Sequence, residues 1–111
     1  MDQSKALAAL SALANETRLD LIRRLIAHGD KGFCAGRIAE DLGISASRLS
    51  FHLSALEQAG LVTARRESRH IFYSVDPAGL GALIAYLLND CCQADPKVSA
   101  CCEAALRGLE P

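Results

Sequence analysis

A chain of 111 residues, half of them hydrophobic, suffices for one domain with a real but modest core. The net charge of −1 gives no general attraction to nucleic acid, and no apolar stretch reaches membrane-spanning length, so no membrane association is expected. The opening MDQSKALAAL lacks the basic start and apolar run of a signal peptide; a cytoplasmic location is expected, with the five cysteines as thiols rather than a disulfide framework.

Taken in chain order, residues 5–13 read as a first helix with Leu7, Leu10 and Ala14 on one face. Asn15 can cap a second helix, with Glu16 at its positive end and Leu19, Ile22, Leu25 and Ile26 as the core stripe. Gly29 stops it. A third helix is predicted over 34–42, with Ile38, Ala39 and Leu42 inward. After a tight turn at Gly43 and Ile44, Ser45 caps a fourth helix over 46–59 that buries Leu49, Leu53 and Leu56. Residues 61–65 and 70–75 alternate in polarity and are rich in β-branched and aromatic types. They predict a β-hairpin tipped by Arg66, Glu67, Ser68 and Arg69. Asp76-Pro77 opens a helix striped by Leu80, Leu83, Ile84, Leu87 and Leu88 and continuing in phase to Cys91 and Cys92. Asp95-Pro96 starts a short last helix with Val98, Cys102, Ala105 and Leu109 on one face.

Helix, tight glycine turn, then a helix whose outer face begins with polar residues is the pattern of a helix-turn-helix. Such a helix must present side chains to base edges while its other face packs on the protein. Ser45, Ser47, Arg48, Ser50 and Phe51 meet the first demand. Serine and arginine bond bases or phosphates, and Phe51 can touch a thymine methyl. Charge supports this locally: residues 43–75 carry Arg48, Arg65, Arg66 and Arg69 against Glu57 and Glu67, whereas the remainder is neutral or acidic. Arg65, Arg66 and Arg69 are expected to bind phosphate from the hairpin.

Three segments carry a family resemblance: LANETRLDLIRRL at 13–25, IAEDLGISASRLSFHLSALEQAGLV at 38–62 and ARRESRHIFYSVDP at 64–77. Over about residues 5–90 the chain resembles the ArsR/SmtB winged-helix metalloregulators. The resemblance implies a mainly α fold with a β-hairpin wing, a winged helix-turn-helix of order αααα-β-β-α, here followed by a short C-terminal helix. It also implies a homodimer built mainly from the first and last long helices, which binds double-stranded operator DNA as a repressor. Residues 1–92 would form the DNA-binding and dimerisation domain and 93–111 a helical extension. His52 stands where relatives have His in the recognition helix; it either bonds phosphate or holds the helix against its neighbours. Ser68 stands where the family's wing usually has Gly, which predicts a different turn or a left-handed Ser68.

Relatives place their inducer at different sites. One uses a Cys-x-Cys on the third helix, but Phe33-Cys34-Ala35-Gly36-Arg37 retains one cysteine, and Cys34 reads as a core residue. Another uses His and acidic pairs on the last long helix, but residues 77–92 hold no His and one acid, Asp90. The C-terminal cysteines remain. Trivalent arsenic and antimony favour three soft thiolates. The vicinal Cys91 and Cys92, with Cys102 or Cys101 delivered by the turn at 93–96, resemble the arsenite site of relatives with a C-terminal cysteine cluster. Arsenite, or antimonite, is therefore the expected inducer. The alternatives are small apolar cysteines extending a dimer stripe, or a redox or persulfide switch pairing Cys34 with Cys91 or Cys92, or one vicinal pair with the other. An enzyme is not expected: no His has an evident local relation to the C-terminal cysteines and no glycine-rich phosphate loop occurs. A pure protein-interaction module would need only the apolar last helices.

Overall fold

The computed structural model describes residues 1–108. Its elements are α1 (Gln3–Leu13), α2 (Glu16–His28), a 3₁₀ turn (Gly29–Lys31), β1 (Phe33–Cys34), α3 (Ala35–Leu42), α4 (Ala46–Gln58), β2 (Val62–Glu67), β3 (His70–Val75), α5 (Pro77–Ala85) running into a π-helical turn (Tyr86–Cys91), and α6 (Pro96–Leu106). This is a winged helix-turn-helix. Local chemistry sets most of its boundaries. Asn15, Ser45, Asp76 and Asp95 each accept a backbone N–H at a helix start with their side chains, which satisfies donors that the helix itself leaves orphaned. Gly43 ends α3 in the left-handed region, φ 65°.

The core forms where α2, α3 and α4 meet the sheet. Leu21, Leu25, Ile38, Leu49, Leu53, Leu56, Leu61 and Val62 are almost fully buried there. Truncating one such leucine to Ala costs about 2–5 kcal/mol. β2 and β3 pair antiparallel from Val62↔Val75 to Glu67↔His70. The loop is therefore the two residues Ser68 and Arg69. Ser68 has φ 59° and Arg69 a negative φ, the sign pattern of a II′ turn, whose first position ordinarily belongs to Gly.

Several expectations need correction. The sheet has three strands in the order β1-β3-β2, because Phe33 and Cys34 pair with Tyr73 and Phe72 before α3 begins. In α1 the sequence pattern singles out no inward face; it is Ala6, Ala9 and Ala12, and the face with Leu7 (57% exposed) and Leu10 points outward. Alanines let α1 approach its neighbours closely and leave the leucines to form a second apolar face. In α2, Leu21 replaces Leu19 in the core, and Leu19 and Ile26 are exposed. Of the α5 stripe, Leu83 is buried, Leu80 and Leu87 pack against the core, and Ile84 is 52% exposed. The stripe does not run in helical phase to the cysteines, because the last turn widens into a π-helix; such turns are rare and frequent at functional sites. α6 has no buried residue; Leu109, expected on its inner face, lies outside the described residues. Among the described residues no helix is long and apolar enough to cross a membrane.

Candidate nucleic-acid interface and thiol cluster

The α3–Gly43–α4 turn puts Ala46 in the first turn of α4, under the cap of Ser45, whose Oγ accepts the Arg48 N–H at 3.2 Å. α4 then divides cleanly. Leu49, His52, Leu53 and Leu56 are buried, whereas Ser47, Arg48, Ser50 and Phe51 are exposed. Phe51 is 66% exposed, and leaving a phenylalanine in water forgoes roughly 1.5–3 kcal/mol of burial. With Ser47, Ser50 and Gln58 it lines a shallow concavity of about 610 Å³ along the outer face. That is the face a major groove would meet.

His52 belongs to the other side. Its Nδ1 accepts a hydrogen bond from Arg18 Nε at 3.1 Å, a contact of the kind the packing role requires. Burial, followed by the charges of Arg18 and Arg48, holds its pKa below the ordinary imidazole value. The Arg18 guanidinium also lies 5.6 Å from the Phe51 ring centroid, within cation–π range. Arg18 is a residue of this helix's surroundings that sequence reasoning missed, although it sits inside the matching 13–25 segment.

The wing arginines are not equivalent. Arg65 donates to Glu67 Oε1 (3.1 Å), the Asp30 carbonyl (3.2 Å) and the Lys31 carbonyl (2.9 Å), and its guanidinium lies 5.4 Å from the Phe72 ring centroid. It is a strut between the wing and the loop after α2. Arg66 and Arg69 are exposed and make no ion pair among the described residues, which leaves them as the wing's available cations.

Cys91 and Cys92 end the π-helical turn. Cys91 is exposed and lines a cleft of about 450 Å³ with Gln3, Leu7, Leu10 and Asp90, between α1 and the end of α5. Cys92 is half-buried; its desolvation, then the adjacent Cys91 thiol and Asp95, push its pKa up. On α6, Cys101 is exposed and Cys102 half-buried. Among the described residues no three His, Cys, Asp or Glu side chains converge closely enough to hold a metal ion. The single chain thus brings Cys91 and Cys92 together and does not bring Cys101 or Cys102 to them. The donor chemistry suits a soft thiophile, but a third thiolate must come from movement of α6 or from a second copy.

A helix-turn-helix domain family matches residues 13–65. The transcriptional activator HlyU of Vibrio cholerae is 35% identical over 94 residues, covering 85% of this chain and 84% of its own. A putative arsenical resistance operon repressor of Halobacterium salinarum is 45% identical over 84 residues, covering 76% of this chain and 68% of its own. The solution structure of a homodimeric winged helix-turn-helix domain from Mycobacterium bovis, a possible ArsR-family regulator, superposes with TM-score 0.64 at 29% identity, covering 73% of each chain. With its recognition helix and wing in this arrangement, the chain belongs to the ArsR/SmtB family of winged-helix DNA-binding transcriptional regulators, which are not enzymes.

Proposed function

We propose that this protein is a cytoplasmic, homodimeric repressor that leaves its operator when trivalent arsenic, or antimony, binds thiolates drawn from Cys91, Cys92, Cys101 and Cys102. The carrying observation is the position of Cys91. It borders the cleft lined by Leu7 and Leu10; both leucines, and Ile84 on α5, are exposed apolar side chains. A second copy covering them would form a two-fold dimer. Residues 1–92 then serve as the DNA-binding and dimerisation unit, and 93–111 as the extension that delivers further thiols. Ser47, Arg48, Ser50 and Phe51 read bases; Arg66 and Arg69 hold phosphate, and Arg65 orients the wing; Ser45 and His52 shape the helix that reads. The arsenical name of one relative supports the choice of inducer.

Ligation that gathers Cys91, Cys92 and a thiol of α6 pulls on the last turn of α5 and so on the angle between subunits. Two recognition helices must meet major grooves about 34 Å apart, so a conformer that binds arsenic better binds DNA worse by the same coupling free energy. Arsenite titration of the reduced protein on labelled promoter DNA tests this. Release is expected in the wild type and lost in Cys92→Ser. A Cys92→Ser variant that responds normally sinks the reading.

A further inference from the structure

A second thiol site lies at the base of the wing. Cys34 pairs with Phe72 across β1 and β3, which brings it alongside His70 at the start of β3. Its Sγ lies 3.8 Å from His70 Nδ1, a thiol–imidazole hydrogen bond. The pair opens into a cavity of about 410 Å³ whose walls include Arg37 and Glu40 from α3 and Arg69 from the wing tip. None of these three charged side chains is in an ion pair among the described residues. A thiol, an imidazole in contact with it, two guanidiniums and one carboxylate thus line one concavity.

We propose that Cys34 undergoes thiol–disulfide exchange with a low-molecular-weight disulfide that carries carboxylates and an ammonium group, and that the adduct weakens DNA binding through the wing. The charges select this class. Arg37 and Arg69 match carboxylates, Glu40 matches an ammonium, and the volume admits a short peptide. A peroxide would use none of them. In the reaction His70 Nδ1 takes the Cys34 proton, and the thiolate sulfur attacks one sulfur of the reagent. The reagent's S–S bond breaks as the Cys34–sulfur bond forms, and the departing thiolate takes the proton from His70. One mixed disulfide and one free thiol result; the reagent is the two-electron oxidant. The adduct sets anionic groups on Arg69, beside the surface proposed to meet phosphate, so it opposes DNA by charge. This signal is separate from the C-terminal thiols.

The test compares glutathione disulfide with cystamine, a cationic disulfide, on the reduced full chain. Cys34 modification is mapped by peptide mass spectrometry, and affinity is read on a labelled duplex. Glutathione disulfide is expected to modify Cys34 about tenfold faster than cystamine, the range of electrostatic steering. His70→Gln slows the reaction, and Arg37→Glu removes the preference. The adduct is expected to lower duplex affinity roughly tenfold, with a reductant restoring it. Cys34→Ser loses this response and keeps its response to arsenite. An unmodified Cys34, equal rates for the two disulfides, an adduct with unchanged affinity, or an undiminished response in Cys34→Ser would each overturn the proposal. Loss of the arsenite response in Cys34→Ser would instead count against separate sites.

Discussion

Arg18 Nε donates to His52 Nδ1 at 3.1 Å, tying α2 to the buried side of the recognition helix. The same guanidinium lies near Phe51 on the outer side. One residue thus braces the helix and one of the side chains proposed to read DNA.

That bond has a pH signature. His52 is held neutral in the folded state, its pKa lowered by burial and by Arg18 and Arg48. The unfolded chain binds the proton at higher pH, so stability rises with pH wherever the unfolded state is the more protonated. The contribution is full above the ordinary His value near 6.5 and is lost as pH falls below it toward the folded pKa. Urea midpoints are expected to drop between about pH 7 and 5, and to drop less in His52→Gln, whose amide oxygen can still accept from Arg18. An identical slope in the variant would remove His52 as the titrating group. Arg18→Ala at pH 7 is expected to cost about 1 kcal/mol.

Two glycines of α5 make opposite predictions. A Cβ at Gly79 would collide with the Gly60 carbonyl at the end of α4, and that neighbour is backbone. Gly79→Ala is therefore expected to destabilise by about 3 kcal/mol. Gly81 is exposed, with nothing within 4 Å of the added methyl, so Gly81→Ala is expected to stabilise by roughly 0.5–1 kcal/mol. Urea unfolding at fixed protein concentration reads both, and equal effects would show that α5 does not pack on Gly60 in solution.

These contrasts show where the sequence was legible. Asn15 and Ser45 could be read as caps, and Asp76-Pro77 and Asp95-Pro96 as helix starts, because a cap bonds the helix it opens; all four side chains do so. Leu49, Leu53 and Leu56 could be read as core because a fourth helix with one polar face has one way to pack. Leu7 and Leu10 could not be placed, because two faces of α1 are apolar and only the tertiary partners select the alanine face. A two-residue strand such as Phe33–Cys34 leaves no period to read, and the pairing that forms it also brings Cys34 to His70. The π-helical turn before Cys92 has no composition signal of its own. For the candidate site, the outward face of α4 was readable from its polarity, whereas the differing roles of Arg18, Arg65 and Arg66 depend on long-range partners.

Ser68 tests the wing's backbone. A non-glycine residue at φ 59° carries about 1–2 kcal/mol of strain, and glycine's extra unfolded-state freedom offsets up to about 1 kcal/mol of any relief. Ser68→Gly is expected to raise stability by roughly 0.5 kcal/mol and to leave duplex affinity unchanged. A lower urea midpoint would contradict the left-handed assignment.

The wing arginines separate positioning from charge. Arg66 makes no intramolecular ion pair among the described residues, so Arg66→Ala is expected to leave the urea midpoint within about 0.5 kcal/mol of wild type. It should also weaken binding to every duplex alike and flatten the slope of log affinity against log salt by about 0.9 for each phosphate no longer neutralised. Arg65 spends its donors on Glu67 and on the Asp30 and Lys31 carbonyls. Arg65→Ala therefore frees the wing from the loop after α2. It is expected to cost about 1–2 kcal/mol of stability, to weaken DNA binding because the wing is no longer held in place, and to change the salt slope less than Arg66→Ala does. Arg65→Lys keeps the charge and loses the forked geometry; it should resemble Arg65→Ala in stability. Salt titrations of duplex binding, run beside urea unfolding for the three variants, distinguish the roles. If Arg65→Ala leaves stability untouched and flattens the salt slope as much as Arg66→Ala, then Arg65 binds phosphate directly and its bonds to the loop do not persist on DNA.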